Sequence, residues 1–398
     1  VMLVPVSIVY DQLHEVAGMT AEARGSRKRP EDLGWLIRFA RSQGGRLGRA
    51  YVSIGEPFPL RERMATLRAE GNDTSQAVER VAIDASHRIN RATPVTTTAV
   101  VCLALLGADR ALTFERVLDT VEPLARYIRD RRWPVAGAAN LTDRSTIRRA
   151  LQELAASGVL AVFEAGTEPV WRIAPDQHLV AAFYRNTVIH ILVERAIGEV
   201  ALLDAIAAPE GADVERAAWE RAKALRDLLK FEFFFPGRDD FERELRGELA
   251  LMAPAGAGPL TVESAHALLD GSDLHVANLV LRPFVDAYLV VADRLAAAGD
   301  SPVEEAELLD EALRVGQQWE LEHRVASAES VSLELYRTGL RLARHRGLLG
   351  GEGADTAYSG DSLGARRAAF LVELQDVATQ LDKMAKIAQV GRSARGVR

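Results

Sequence analysis

The first ten residues, VMLVPVSIVY, are almost wholly apolar and rich in β-branched side chains. A run of this kind, in which polar and apolar positions do not alternate, predicts a strand buried on both faces, as in a parallel sheet. A second short strand is predicted over 50–54, where Gly55, Glu56 and Pro57 end it. Because a central strand needs neighbours and none precedes this one, we expect the chain to be the C-terminal part of a longer protein.

Most of the remaining chain has a helical pattern. From about residue 61 to 349, apolar residues recur every three or four positions, with Gly and Pro between the segments. One interruption is typical of a winged helix: a helix over 146–158 is followed by a strand over 159–165, a Gly-Thr turn and a return strand over 170–173.

The predicted fold class is therefore α+β and predominantly helical. We expect residues 1–66 to complete an α/β domain and residues 67–350 to form a large helical region with the winged-helix-like hairpin. Residues 351–398 should form a flexible joint, a C-terminal helix from about 365 to 388 and a basic tail.

Charge is distributed unevenly along the chain. The 49 basic and 56 acidic residues give a net charge of −7, yet residues 24–49 contain eight basic and only two acidic side chains. Part of this stretch, PEDLGWLIRFAR, predicts a helix. Arginine forks make bidentate contacts with phosphate oxygens, so the stretch could hold a phosphorylated substrate or anionic lipid headgroups. A solvated loop and helix face is the alternative, and both interpretations stay open.

Cysteine content and hydropathy restrict the class of protein. The single cysteine, Cys102, excludes a disulfide framework and a cysteine-rich metal centre. The longest apolar stretch without charge, 92–108, has 17 residues and contains Pro94. That is short of the roughly 20 apolar residues of a spanning helix. With no secretory signal at the start, we expect a cytosolic protein or one peripheral to a membrane.

Familiar catalytic motifs are absent from the 398 residues. None of the eight histidines is followed by aspartate five positions later, as an acyl-transfer dyad would require, and no zinc-protease, hydrolase or nucleotide signature occurs. No cofactor or metal is predicted. The motifs alone therefore indicate no catalytic centre within these 398 residues.

Three other segments are candidates for function. Seven arginines between 126 and 149, beside the winged-helix pattern, suggest nucleic-acid binding, although the acidic chain favours a packing module. Asn186 and His190 are expected four positions apart on one helical face, most simply as a polar network between helices. The aromatic run 231–235 could dip into a lipid interface, although a buried core is favoured.

Several segments, in this order, resemble one known family. They are VMLVPVSIVYDQLHE, ARGSRKRPEDLGWLIR, GGRLGRAYVSIGEPFPL, AAFYRNTVIHILV, LLKFEFFFPGRDDF, LRPFVDAYLVVADRL and ESVSLELYRTGLRLARHRGLL. The series is similar to the region after the catalytic blocks of bacterial membrane-associated glycerol-3-phosphate acyltransferases of the PlsB type. The resemblance extends to about Leu349. Of the four acyltransferase blocks of that family, only the last is present, as Val1 to Val6, with Pro5 matching its proline.

The resemblance implies a function. It implies transfer of a fatty acyl group from acyl-CoA or acyl carrier protein to the sn-1 hydroxyl of glycerol 3-phosphate, giving lysophosphatidate at the cytoplasmic face of the cell membrane. The catalytic histidine and aspartate would lie upstream, so the isolated chain is expected to be inactive. The alternative is a non-enzymatic helical module that contains a winged helix and binds protein or nucleic acid; the favoured reading includes no nucleic-acid partner.

Eight residues are predicted to bind substrate. The resemblance places Val4, Pro5, Val6 and Ser7 in the last acyltransferase block, which helps to shape the acyl or substrate pocket. Charge adds Arg24, Arg27, Lys28 and Arg29, where an anionic substrate or lipid headgroup could reach.

Overall fold

A computed structural model of the protein describes residues 1–12, 16–25, 48–108, 110–137, 140–252, 258–350 and 362–395, without the side chains of 17–19, 21 and 390–395. The chain forms two compact units. The described residues of the first unit fall within 1–14, 32–195 and 233–257, and those of the second within 15–31, 196–232 and 258–398. The predicted divisions near residues 66 and 350 stay predictions.

The strands are short and belong to small antiparallel sheets. They are β1 (Met2–Leu3), β2 (Val6–Tyr10), β3 (Ala50–Ile54), β4 (Phe58–Pro59), β5 (Leu112–Thr113), β6 (Leu160–Phe163) and β7 (Val170–Ile173). Strand β1 pairs with β4, β2 with β3, and β7 lies between β5 and β6.

Helices account for most of the described chain. In the first part of the sequence they are α1 (Val16–Ala23), α2 (Leu60–Ala69), α3 (Thr74–Ala92), α4 (Thr97–Leu106), α5 (Phe114–Asp130), α6 (Arg144–Ala156) and α7 (His178–Asn186). A 3₁₀ turn over Ile189–Leu192 leads into α8 (Val193–Ile206). The others are α9 (Val214–Leu229), α10 (Arg238–Met252), α11 (Val262–Asp270), α12 (Ala277–Ala297), α13 (Glu305–Leu321), α14 (Leu333–His345) and α15 (Leu363–Arg395). The predominantly helical α+β class is confirmed.

Polar side chains fix where several helices begin. Asp73 and Gln76 form a reciprocal capping box at α3, and Asp143 accepts the backbone N–H of Ser145 at α6. A buried carboxylate does the same at α12, where Glu199 accepts the N–H groups of Val276 and Ala277. These bonds satisfy N–H groups that have no partner within the helix.

The N-terminal strand differs from its prediction. Strand β2 pairs antiparallel with β3, and its burial alternates, so that Ser7 and Val9 are buried while Val6, Ile8 and Tyr10 are exposed. The expectation of burial on both faces, as in a parallel sheet, is therefore wrong for the described residues. Helix α3 packs on one face of β2. Thr93, the residue directly after this helix, is hydrogen-bonded to Ser7 of the strand.

The predicted winged-helix pattern is confirmed. Strand β5 and helices α4, α5 and α6 precede the hairpin of β6 and β7, and the sheet order β5-β7-β6 completes a three-stranded wing. Helix α6 buries Ile147, Leu151 and Leu154. The apolar side of α6 is therefore its packing face, while Arg144, Arg148 and Arg149 of the same helix are exposed.

The second unit is built around the central helix α12. Most of its residues from Val280 to Leu295 are buried, and α15, whose Phe370, Leu374 and Leu381 are buried, packs along it. The predicted C-terminal helix is confirmed, and it is longer than expected. The joint predicted at 350–360 lies almost wholly outside the described residues.

Candidate functional site

The four apolar or hydroxyl residues predicted to bind substrate divide into two pairs. Val4 and Val6 are 50% and 43% exposed, whereas Pro5 and Ser7 are buried. The Thr93 hydroxyl donates its proton to the Ile89 carbonyl, so Ser7 Oγ must be the donor in its 2.8 Å bond to Thr93 Oγ1. The Ser7 hydroxyl is therefore buried and bonded to Thr93, and its role in substrate binding stays a prediction.

A close backbone approach holds the same segment. The Pro5 carbonyl accepts the N–H of Gly55 at 2.8 Å. A Cβ on Gly55 would lie 3.0 Å from the Ala92 Cβ and 3.2 Å from the Pro5 Cβ, tighter than ordinary contact. Gly55, predicted only as the end of a strand, thus allows β3 to pass close to Pro5.

The outer face of the strand pair is apolar. Val6, Ile8, Val52 and Ile54 are all exposed there, together with Tyr10. Successive side chains of a strand point to opposite faces, which places these residues on one side of the sheet. The face presents a contiguous hydrophobic surface among the described residues.

The predicted basic residues are only partly described. Arg24 lies directly after α1, partly exposed, in the second unit, whereas Val4 to Ser7 belong to the first unit. Arg27, Lys28 and Arg29, and the helix predicted to follow them, lie outside the described residues. Their role in anion binding stays a prediction.

The arginines beside the winged helix are engaged locally. Arg144 forms a bidentate ion pair with Glu115, and the guanidinium groups of Arg144 and Arg148 lie over the Phe114 ring. Arg129 pairs with Asp130. Because these cations already face carboxylates or a ring, the pattern fits a packing surface better than one that neutralises phosphates.

A buried ionic network, which the sequence did not reveal, lies in the first unit. Glu248 forms an ion pair with Arg131, and Tyr127 Oη contacts Glu248 Oε2 at 3.1 Å and donates to the Ile191 carbonyl at 2.9 Å. Burial raises the pKa of Glu248, while Arg131 opposes the shift. Burial, with a smaller effect of Glu244, raises the pKa of Glu194 to about 8. These residues come from three segments far apart in sequence, so no local pattern could have brought them together.

Asn186 and His190 do not share a helix. Helix α7 ends at Asn186, and His190 lies in the following 3₁₀ turn, so the prediction of one helical face is wrong. The Asn186 side chain accepts from Arg185 at 2.8 Å. A β-branched pair, Thr187 and Val188, precedes the turn, where the α-helical repeat stops.

Burial describes Cys102 and the aromatic run. Cys102 is completely buried, and burial raises the pKa of its thiol to about 12, so it is an inert core residue. Phe233 and Phe235 are buried, while Phe234 is 49% exposed.

Over the part of the chain that the structure describes, no group of three His, Cys, Asp or Glu side chains could hold a metal ion. Among the described helices, none combines the length and hydropathy needed to cross a membrane.

Comparison with protein families decides between the two functional readings. Residues 19–352 match the family described as the glycerol-3-phosphate acyltransferase C-terminal region. The chain belongs to this family. The resemblance noted in the sequence is thereby confirmed, and the non-enzymatic alternative is not favoured.

Curated relatives of this acyltransferase family are similar over almost the whole chain. Proteins of Mycobacterium bovis and Mycobacterium tuberculosis named acyltransferase plsB1, an assignment that their names mark as provisional, are 54% identical over 392 residues. The match covers 98% of this chain and 62% of each relative. The chain thus spans less than two thirds of the length of these relatives.

Proposed function

We propose that this chain is part of a glycerol-3-phosphate 1-O-acyltransferase that acts in phospholipid synthesis. The enzyme would take a fatty acyl group from acyl-CoA or acyl carrier protein and form lysophosphatidate. The observation that carries the proposal is the family match over 19–352, supported by 54% identity to relatives named acyltransferases.

The reaction requires a base that this sequence does not supply in the familiar motif. The sn-1 hydroxyl oxygen of glycerol 3-phosphate attacks the thioester carbonyl, the C–S bond breaks, and the hydroxyl proton passes through the base to the departing thiolate. In the family that the chain resembles, the base is a histidine five positions before an aspartate. No histidine of these 398 residues has that spacing, so we expect the chain alone to be inactive.

We assign different roles to the two pairs in the last acyltransferase block. Val4 and Val6 would contact the acyl chain or substrate, because their side chains are exposed on an apolar surface. Pro5 and Ser7 would position the strand through their contacts with Gly55 and Thr93. Arg24, Arg27, Lys28 and Arg29 would attract the phosphate of the substrate or an anionic headgroup.

A chimaera tests the proposal. The part of mycobacterial plsB1 outside the match is joined to this chain in the relative's own order, and lysophosphatidate is measured from glycerol 3-phosphate and acyl-CoA. We expect activity from the chimaera and none from the chain alone. A folded chimaera without activity, beside an active plsB1, would refute the proposal. Activity of the chain alone would refute the inferred position of the base.

Variants of the chimaera test the assigned residues. Val6→Asp should lower acyl transfer at least tenfold without loss of folding, because a carboxylate is costly where an acyl chain must lie. Val78→Asp is the matched control, since Val78 is an exposed valine (55%) on helix α3. Equal activity of the two variants would contradict a substrate role for Val6.

We further propose peripheral attachment at the cytoplasmic face of the membrane and no nucleic-acid partner. Exposed Phe234 offers an aromatic side chain to an interface, and the local pairing of Arg144 and Arg129 argues against a phosphate-binding surface. Duplex-DNA binding that weakens with salt and is lost in the Arg148→Ala, Arg149→Ala double variant would overturn the second statement.

A further inference from the structure

A small cavity lies within the first unit. It has a volume of about 30 Å³, enough for one or two atoms the size of a water oxygen. Its lining includes Arg131, Trp133, His190, Glu194 and the aromatic segment from Phe233 to Phe235. The residues come from α8, the 3₁₀ turn before it, the segment after α5 and the chain before α10.

Three polar atoms of the lining are buried without a partner in the protein. They are His190 Nε2, Trp133 Nε1 and Arg131 Nε. Buried polar atoms are nearly always hydrogen-bonded, so three on residues that line one cavity point to a ligand. The Arg131 guanidinium is otherwise fixed by its ion pair with Glu248, and the Trp133 ring stands edge-on to His190, with ring centroids 6.3 Å apart.

The hydrogen-bonding character of these atoms can be deduced. His190 is bonded to the backbone of Asn90. Because Nε2 has no partner, that bond uses Nδ1, which donates to the carbonyl. Nε2 of the neutral ring is then an acceptor. The cavity therefore offers one acceptor, from His190, and two N–H donors, from Trp133 and Arg131.

Charge around the cavity is nearly balanced. Arg131 is paired with Glu248, and Arg91 Nη1 lies 3.7 Å from Glu244 Oε1. Burial lowers the pKa of His190 to about 4 and raises that of Glu194 to about 8, so both are mainly neutral near pH 7. Neither an anion nor a cation would gain much here, which favours a neutral ligand.

We propose that this cavity binds a hydroxyl group of a neutral polyol headgroup, with the attached apolar chain lying against Phe234. A hydroxyl oxygen accepts from Trp133 and Arg131, and its proton goes to His190 Nε2, so all three atoms are satisfied by one group. Phe234 is 49% exposed and lines the cavity, which provides an apolar rim for the chain of a lipid. This site would add neutral-lipid or polyol binding to the acyl transfer proposed above.

The Trp133 indole N–H is a direct probe of the site. The 398-residue chain is labelled with ¹⁵N-tryptophan, and its five indole signals are followed during titration. Trp133→Phe identifies the signal. We expect it to shift saturably with 1-monooctanoylglycerol and not with methyl octanoate, which has the same acyl chain and no hydroxyl. Free glycerol should cause the same shift with weaker affinity, since it lacks the apolar chain.

Variants separate recognition of the hydroxyl from simple apolar contact. Trp133→Phe and His190→Phe keep an aromatic ring and remove one hydrogen-bonding atom. The affinity for monooctanoylglycerol, measured from the thermal stabilisation of the chain, should therefore fall roughly tenfold. Trp219→Phe, in the second unit, is the control and should bind as the wild type does. Thermal unfolding and circular dichroism verify that each variant is folded.

Several outcomes would overturn the proposal. An indole signal unmoved by monooctanoylglycerol and glycerol would mean that the cavity holds ordered water only. Equal shifts with methyl octanoate would mean apolar contact without hydroxyl recognition. Equal affinities for glycerol and monooctanoylglycerol would remove the role of Phe234. Because binding is measured without catalysis, failure here is distinguishable from failure of the acyltransferase proposal.

Discussion

Arg367 of helix α15 is completely buried, and its removal should destabilise the second unit. Its guanidinium donates to four main-chain carbonyls: Gly299 and Ser301 after helix α12, and Leu348 and Leu349 after helix α14. The donor–acceptor distances are 2.6 to 3.1 Å. One side chain thus satisfies carbonyls near the C-terminal ends of two helices, where a cation is also favoured by the helix dipole.

The expected cost follows from these four bonds. Losing a bond to a charged donor costs roughly 1.5 to 3 kcal/mol, so four give about 6 to 12 kcal/mol. Removing a buried cation recovers several kcal/mol of desolvation. We therefore expect Arg367→Met to lower the free energy of unfolding by about 3 to 5 kcal/mol. Arg367→Lys should cost at least as much, because an ammonium stays buried and has only three donors without the planar fork.

Urea unfolding followed by circular dichroism measures the change, with hydrogen exchange of α12, α14 and α15 assigning it to the second unit. Arg337→Met is the matched control, since Arg337 is an exposed arginine of α14. A difference of less than about 0.5 kcal/mol between Arg367→Met and Arg337→Met would refute the reasoning. Full recovery by lysine would show that charge alone matters, and not the four-carbonyl geometry.

Three further predictions concern packing, pH and the membrane. In α13 a Cβ at Gly316 would overlap the Tyr336 hydroxyl, so Gly316→Ala should lower the free energy of unfolding, measured in urea, by about 2 kcal/mol. Adding Tyr336→Phe should restore most of that free energy. Burial raises the pKa of Glu232 to about 7, so the free energy of unfolding should fall by roughly 3 kcal/mol as the pH rises from about 4.5 to 7. Glu232→Gln should lack this dependence on pH, and an unchanged dependence in that variant would contradict the assignment. Phe234→Ser should weaken liposome co-sedimentation, whereas Leu251→Ser, at a residue of similar exposure, should not; equal effects would argue against an aromatic contact with lipid.

Elements defined by local pattern were predictable from the sequence. Strand β3 and the return strand β7 occur at the predicted residues, and the helix before the hairpin differs by two residues at each end. Turn residues such as Gly55 and the alternation of apolar positions act within a few residues, which explains this success. The α7 helix shows the limit, because it stops at Asn186 and a 3₁₀ turn carries His190, whereas periodicity alone continues the helix.

Residues whose role depends on distant partners could not be predicted. Arg367 follows another arginine in GARRAAF, and local sequence gives no reason why it is buried and Arg366 is not. Its acceptors lie 18 to 68 residues away. The same holds for Glu194 and Arg131, whose pKa values depend first on burial and then on carboxylates of helix α10. Burial of charge is decided by tertiary packing, which hydrophobic periodicity does not report.

The structure distinguishes between residues of the last acyltransferase block that the sequence treats alike. By sequence, Val4, Pro5, Val6 and Ser7 are four equivalent positions, because family resemblance marks the whole block. In the structure Ser7 donates to Thr93 and Pro5 accepts from Gly55, so both are committed to holding the strand. Only Val4 and Val6 keep their side chains available to a ligand. A substrate role for the block therefore predicts that changes at Val4 and Val6 alter acyl transfer without altering stability, while changes at Ser7 alter stability first.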